Sequence, residues 1–248
     1  MAGHSKWANI KHRKARQDAK RGKMWSKCAR AIIMAAKNGG GDPGANLTLR
    51  YAVEEARAAN MPKDTIENAI KKGTGELAGE SYESVIYEGY GANGVAVMLE
   101  ILTNNRNRTA GEIRKIFEKA GGNLGTNGCV AFVFAAKGQL FVAKTDVDEE
   151  RIMEIALEVG AEDVIDDGES WQILCAPADF VGLKEAIEGA EIPLESASLT
   201  QIPDTTVETA GDDARKVLNL LEALEDHDDV QKVYANFEIP DEQMAELD

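Results

Sequence analysis

The chain has 248 residues, 44% of them hydrophobic, which is enough apolar material for real cores and rules out wholesale disorder. No stretch approaches the roughly 20 apolar residues of a membrane span, and the first residues contain no apolar segment of the secretory kind. The net charge of −15 hides an asymmetry: residues 1–75 hold 16 Lys/Arg against 6 Asp/Glu, whereas residues 76–248 hold 12 against 37. A basic element made for a polyanion is thus joined to an acidic body.

The asymmetry is sharpest at the start, where residues 1–37 carry 11 basic side chains and one acid, Asp18. Residues 3–23 are poor in apolar side chains beyond Trp7 and Ile10, and their like charges predict a segment that is disordered or only partly helical when alone. Three short helices follow over residues 24–73. In the first, Trp25, Cys28, Ala29, Ile32 and Ala36 repeat at helical spacing, with Lys23, Lys27, Arg30 and Lys37 on the opposite side, and Gly39-Gly-Gly41 ends it. In the second, Asn46 is the N-cap and Leu49, Ala52, Val53 and Ala56 form the stripe. Asp64-Thr-Ile-Glu67 reads as a capping box for the third, which Gly73 closes.

After a linker over residues 74–81 the pattern changes to strands. Tyr82–Tyr90 and Val95–Thr103 flank Asn93-Gly94, a hairpin signal. The nearby Gly89-Tyr-Gly-Ala-Asn-Gly94 matches a dinucleotide-binding glycine pattern, but a strand follows it where that motif needs a helix, so the hairpin reading is preferred. Thr109-Ala-Gly-Glu112 reads as the cap of a helix with Ile113, Ile116 and Phe117 inward, followed by a strand over Cys129–Phe134. The next elements are a strand at Gln139–Ala143, a helix around Ile152 and Ile155, strands at Asp163–Ile165 and Trp171–Cys175, a helix with Phe180, Leu183 and Ile187, and a strand over Leu194–Ile202. That order is βαββαβ, the ferredoxin-like unit. A helix carrying Val217, Leu220, Leu221 and Leu224 and a strand over Val230–Phe237 complete the chain.

The expected fold class is therefore α+β and multidomain: an N-terminal three-helix domain, then an α+β domain carrying an inserted ferredoxin-like domain. The expected boundaries are 1–75 for the basic arm and helical domain, 82–136 plus 204–248 for the discontinuous domain, and 137–203 for the insert.

Chemistry-bearing motifs are scarce. Cys28, Cys129 and Cys175 are odd in number and far apart, which excludes a disulfide scaffold and suits a reducing cytoplasm. With His4, His12 and His227 as the only histidines, there is little material for a metal site or a His-based triad. Neither a catalytic residue, a cofactor, a metal nor a small-molecule substrate is assigned, and the chain is not read as an enzyme. Glu222, Glu225, Asp226, Asp228 and Asp229 read as a solvated helix end, and His227 as a helix-terminal residue favoured by the dipole.

The strongest signal is the basic N-terminus. Lys6, Lys11, His12, Arg13, Lys14, Arg16, Lys20, Arg21, Lys23, Lys27 and Arg30 offer cations to phosphates, and Trp7 offers an indole to an unpaired base. Arg106 and Arg108 precede a predicted helix start and are candidates for a second phosphate contact, with a charged turn as the alternative. A flexible basic arm with an aromatic suits RNA, and no helix-turn-helix is recognisable for reading duplex DNA.

The segment Ala2-Gly-His-Ser-Lys-Trp-Ala-Asn-Ile-Lys-His-Arg-Lys14 closely resembles the opening of the YebC/PmpR family. So do Gly39-Gly-Gly-Asp-Pro43, Ala59-Asn-Met-Pro62, Ala69-Ile-Lys-Lys-Gly-Thr-Gly-Glu76, Tyr87-Glu-Gly-Tyr-Gly91, Asn105-Arg-Asn-Arg-Thr109 and Gly121-Gly-Asn-Leu-Gly125, in order along the whole chain. The resemblance implies three domains and a cytoplasmic protein of a family long described as DNA-binding transcriptional regulators. It also implies a tie to translation, through mitochondrial members that activate translation of a cytochrome oxidase subunit and bacterial members connected with ribosomes stalled on proline-rich stretches. On that view the basic residues contact ribosomal RNA. The implied partners are nucleic acid, as ribosomal RNA or DNA, and the ribosome, with no membrane and no catalytic residue.

Overall fold

The computed structural model describes residues 17–240. In chain order they form α1 (Gln17–Gly39), α2 (Leu47–Ala58), α3 (Lys63–Thr74), β1 (Glu83–Tyr90), β2 (Ala96–Thr103), α4 (Arg106–Lys119), β3 (Asn123–Leu124), β4 (Phe134–Ala143), α5 (Glu149–Glu158), β5 (Ala161–Asp167), β6 (Ser170–Cys175), α6 (Phe180–Gly189), β7 (Ser196–Pro203), β8 (Val207–Glu208), α7 (Gly211–Glu225), β9 (Val230–Ala235) and β10 (Phe237–Glu238). The fold is α+β with an N-terminal helical region, and its described residues fall into two compact units.

The larger unit takes in residues 17–131 and 209–235. Its three helices bury Cys28, Ile32, Ile33, Ala35 and Ala36 of α1 against Leu49, Ala52, Val53 and Ala56 of α2 and Ile66 and Ala69 of α3. Many of these side chains are alanines, so the backbones come close. A Cβ on Gly73 would lie 2.5 Å from the Ile33 carbonyl oxygen and 2.6 Å from the Ala36 Cβ, and only glycine fits that crossing. Asn46 joins two helices. Its Oδ1 accepts from the Leu49 amide at 3.1 Å, as an N-cap should, and its Nδ2 donates to the carbonyls of Ala35 and Gly40, both at 2.8 Å.

The same unit holds an antiparallel sheet in the order β3-β1-β2-β9. The β1–β2 hairpin turns at Asn93 (φ 55°) and Gly94 (φ 74°), the paired left-handed residues that match strand twist. Val97, Leu99 and Ile101 of β2 are fully buried or nearly so, as are Ile113 and Phe117 of α4 and Val217, Leu220 and Leu224 of α7.

The smaller unit comprises Phe132–Glu208 and Asn236–Glu238. Its sheet runs β5-β6-β4-β7, every neighbouring pair antiparallel, with α5 after the first strand and α6 after the third. That is the ferredoxin-like arrangement. Leu140, Val142, Ile173 and Cys175 alternate inward against Ile152, Leu183 and Ile187. A short parallel pair, β8 with β10, completes it.

Helix α1 takes in residues 17–23, the described part of the segment expected to be disordered or only partly helical when alone. Several expectations need correction. Pro62 rather than Asp64 stands at the cap of α3, and Asp64 lies in the first turn, where its charge favours the positive end of the dipole. That helix runs one residue past Gly73 and ends on Gly75, at φ 84°. Helix α4 starts at Arg106 with Asn105 as its cap, so Thr109 is an interior, buried residue. Of the strand expected over Cys129–Phe134 only Phe134 is strand, as the first residue of β4, because the edge of β1 pairs with β3 and the amides of Gly128, Val130 and Ala131 donate instead to the buried Glu88 carboxylate, at 2.6, 2.7 and 2.9 Å. The predicted last strand is broken at Asn236, with β9 in one unit and β10 in the other.

Candidate nucleic-acid interface

On α1, Lys23, Lys27 and Arg30 are spaced four and three residues apart, which aligns them on one face of the helix. All three meet the carboxyl end of α7. A helix leaves its last carbonyls unpaired and carries a partial negative charge there. Helix α7 has no basic residue in its own last turn. The Lys23 ammonium donates to the Asp226 carbonyl at 3.1 Å and stands 3.7 Å from its carboxylate. Lys27 donates to the Glu225 carbonyl at 2.6 Å. Arg30 donates to the Asp228 carbonyl and approaches Asp229 Oδ1 at 3.4 Å.

Asp229 is the centre of this arrangement. Its carboxylate is buried and accepts from Thr109 Oγ1 at 2.7 Å, Arg108 Nη2 at 2.8 Å and Thr103 Oγ1 at 3.1 Å. Burial works against its ionisation, but the Thr109, Arg108 and Thr103 hydrogen bonds and the Arg30 charge outweigh that and hold the carboxyl below its ordinary range. The Arg108 guanidinium is raised, first by the hydrogen bond to Asp229. His227 Nδ1 accepts from the Asp229 amide at 3.1 Å, so the ring proton sits on Nε2, 3.0 Å from Glu112 Oε2. Lys23, Arg30, Arg108, Glu112, His227 and Asp229 are among the residues that line a groove of about 670 Å³.

The acidic end of α7 is therefore not simply solvated: Asp226 and Asp228 are exposed but face cations, and Asp229 is 3% exposed and fully engaged. Of the sequence-predicted site residues, Lys23, Lys27, Arg30 and Arg108 are brought together. Arg106 stands exposed at the first position of α4, its carbonyl accepting from Tyr87 Oη at 3.2 Å, and is not part of this cluster. The side chains of Lys6, Trp7, Lys11, His12, Arg13, Lys14, Arg16, Lys20 and Arg21 lie outside the described residues. Sequence reasoning missed Thr103, Thr109 and Asp229 as one network. Only the clustering of acids after Leu224 hinted at it.

Burial pushes the Cys28 thiol up to about 11 and raises Cys129 and Cys175 as well, so all three thiols stay protonated at neutral pH. Among the described residues no group of three or more His, Cys, Asp or Glu is placed to hold a metal ion, and no helix is long and apolar enough to cross a membrane.

Comparison with known proteins agrees with this architecture. Residues 5–76 match the TACO1/YebC protein N-terminal domain, and residues 82–237 match the TACO1/YebC second and third domain. A protein of Natranaerobius thermophilus named "Probable transcriptional regulatory protein" is 56% identical over 98% of this chain and 99% of its own length. A protein of Geobacter sulfurreducens with the same description is 54% identical over the full length of both. The crystal structure of a conserved hypothetical protein from Aquifex aeolicus superposes with a TM-score of 0.83 at 51% identity, over 92% of this chain and 94% of that one. With both parts of the family matched in order and relatives this similar end to end, the chain belongs to the TACO1/YebC family.

Proposed function

We propose that this protein is a non-enzymatic regulator of gene expression that binds nucleic acid through its basic N-terminal arm, and that its physiological target is RNA on the ribosome, in the cytoplasm. The reading is carried by residues 1–37, where 11 cations face one acid and Trp7 lies among them. Such an arm can release counterions from phosphates while an indole stacks on a base, and the acidic remainder keeps the protein off long uniform duplexes. The family resemblance adds ribosomes stalled on proline-rich stretches as the setting. A second reading, a DNA-binding transcriptional regulator, is favoured by the names of the relatives.

Co-sedimentation with ribosomes separates the two. The protein should pellet with ribosomes at low salt and leave them at high salt. Replacing Lys11, Arg13, Lys14 and Arg16 with Ala should weaken nucleic-acid binding and flatten the dependence of log affinity on log salt. Site-specific DNA binding at physiological salt, with no ribosome association and changed transcript levels, would establish the transcriptional reading instead.

A further inference from the structure

We propose that the carboxyl end of α7, with Asp226 and Asp228, is a built-in competitor for phosphates: it occupies the cations Lys23, Lys27 and Arg30 of α1, and nucleic acid must displace it to gain them. This inference rests on the nucleic-acid reading above and adds a restraint acting on the same surface.

The contacts have the character of a stand-in for a phosphate chain. Three cations on one helix face meet three successive anionic features, namely the Glu225 carbonyl at the helix end, Asp226 through its carbonyl and carboxylate, and the Asp228 carbonyl beside the Asp229 carboxylate. Lys23 to Arg30 spans about 10 Å of helix, so the anionic stripe matches a stretch of two or three phosphates. Lys27 is seated deepest. Burial pulls its ammonium below the ordinary value, and Asp226 and Asp228 oppose that pull.

The contact is also built to be exchanged. Asp226 and Asp228 are exposed, as is Lys23, so water and salt reach the outer part of the pairing. Asp229, by contrast, is anchored from the other side by Thr103, Thr109 and Arg108, which belong to the sheet and to α4. Losing the α1 cations therefore leaves that anchor in place. In sequence the cations of the arm run through Lys20 and Arg21 directly into Lys23, so a strand held by the arm reaches these cations next.

The test compares the wild-type chain with Asp226→Asn/Asp228→Asn and with Asp212→Asn/Asp213→Asn, which removes the same charge at the opposite end of α7. Binding of a fluorescein-labelled oligouridylate and of a labelled DNA duplex is followed by anisotropy across a potassium chloride series. The Asp226/Asp228 variant should bind about threefold more tightly at low salt, with a slope of log affinity against log salt steeper by about one, because the two carboxylates no longer compete while the Glu225, Asp226 and Asp228 carbonyls remain for phosphates to displace. Adding Lys23→Ala, Lys27→Ala and Arg30→Ala to it should abolish the gain, while the same three changes in the wild-type chain should alter affinity far less. A gain on both probes follows from the shared phosphate chemistry, and a gain on oligouridylate alone assigns the surface to single strands. If the Asp226/Asp228 variant gains no more than the Asp212/Asp213 control while the wild type binds, the competitor is overturned and the function stands. If no form binds either probe at low salt, the nucleic-acid reading itself falls. Circular dichroism confirms that each variant is folded.

Discussion

Lys27 and Glu225 lie 198 residues apart in sequence, yet the Lys27 ammonium donates to the Glu225 main-chain carbonyl at 2.6 Å. A cation from the first described helix thus serves as the C-terminal charge complement of the last. The last turn of α7 has no Lys or Arg to do this. The contact ties the helical region to the α7 end of the sheet domain within one unit, and it removes from the surface a cation otherwise available to phosphates.

Asp229→Ala should destabilise the larger unit by about 3 kcal/mol, because Thr103, Thr109 and Arg108 lose a shared buried acceptor. The pH dependence follows from the lowered carboxyl. A carboxyl depressed on folding contributes stability that is present above its unfolded value of about 4, and that contribution is lost as pH falls through the folded value. Urea midpoints measured from neutral to acidic pH should therefore separate the wild type from Asp229→Asn at pH 7 and converge at the acidic end. Parallel curves would mean that the charge of Asp229 is not the stabilising feature.

Glu88→Ala should release the loop that ends β1's outer cover. One carboxylate accepts three amides there, from Gly128, Val130 and Ala131. Its loss costs about 2–3 kcal/mol, limited because the freed amides can rehydrate once the loop opens. Hydrogen exchange should accelerate at those three amides and leave the β1–β2 ladder protected. Unchanged protection at Val130, a fully buried residue, would refute this role.

Gly73→Ala tests the crossing of α1 and α3. Alanine inside a helix gains about 1 kcal/mol over glycine. Here the added methyl meets the Ile33 carbonyl oxygen at 2.5 Å, and backbone cannot move aside as a flexible side chain would. Overpacking of this kind costs about 1–3 kcal/mol, so the net effect should be destabilising. A lower melting temperature of the helical region is the expected result, and a rise would show that the helices separate freely.

Replacing residues 134–203, the expected insert 137–203 extended to the start of β4, with a short Gly/Ser linker tests the proposed insertion. The Val133 carbonyl accepts from the Asp204 amide at 2.9 Å, so the two ends already touch and a short linker closes them without strain. The remaining chain should keep cooperative thermal unfolding and helical circular dichroism. A non-cooperative melt would argue that the two α+β parts share a core.

Most elements were legible because burial periodicity is local. The stripe Leu49, Ala52, Val53 and Ala56 and the alternation Leu140, Val142 each declare their own type, and Asn46 and Asn93-Gly94 declare a cap and a turn through chemistry that acts within a few residues. One error fell where a distant group satisfied the backbone: Glu88 took the Val130 and Ala131 amides of the segment read as a strand. Another fell to a nearer cap, since Asn105 accepts from the Arg108 amide and starts α4 ahead of Thr109, whose hydroxyl donates to Asp229. The charge split and its arm were also plain from residue counts alone. What only the tertiary structure decided is where the cations of α1 spend their charge. Sequence places Lys23, Lys27 and Arg30 on one helix face, but whether that face meets solvent or the carboxyl end of α7 depends on packing between residues some 200 positions apart. Electrostatic partners are chosen by distance in space, and no pattern within a helix encodes that distance.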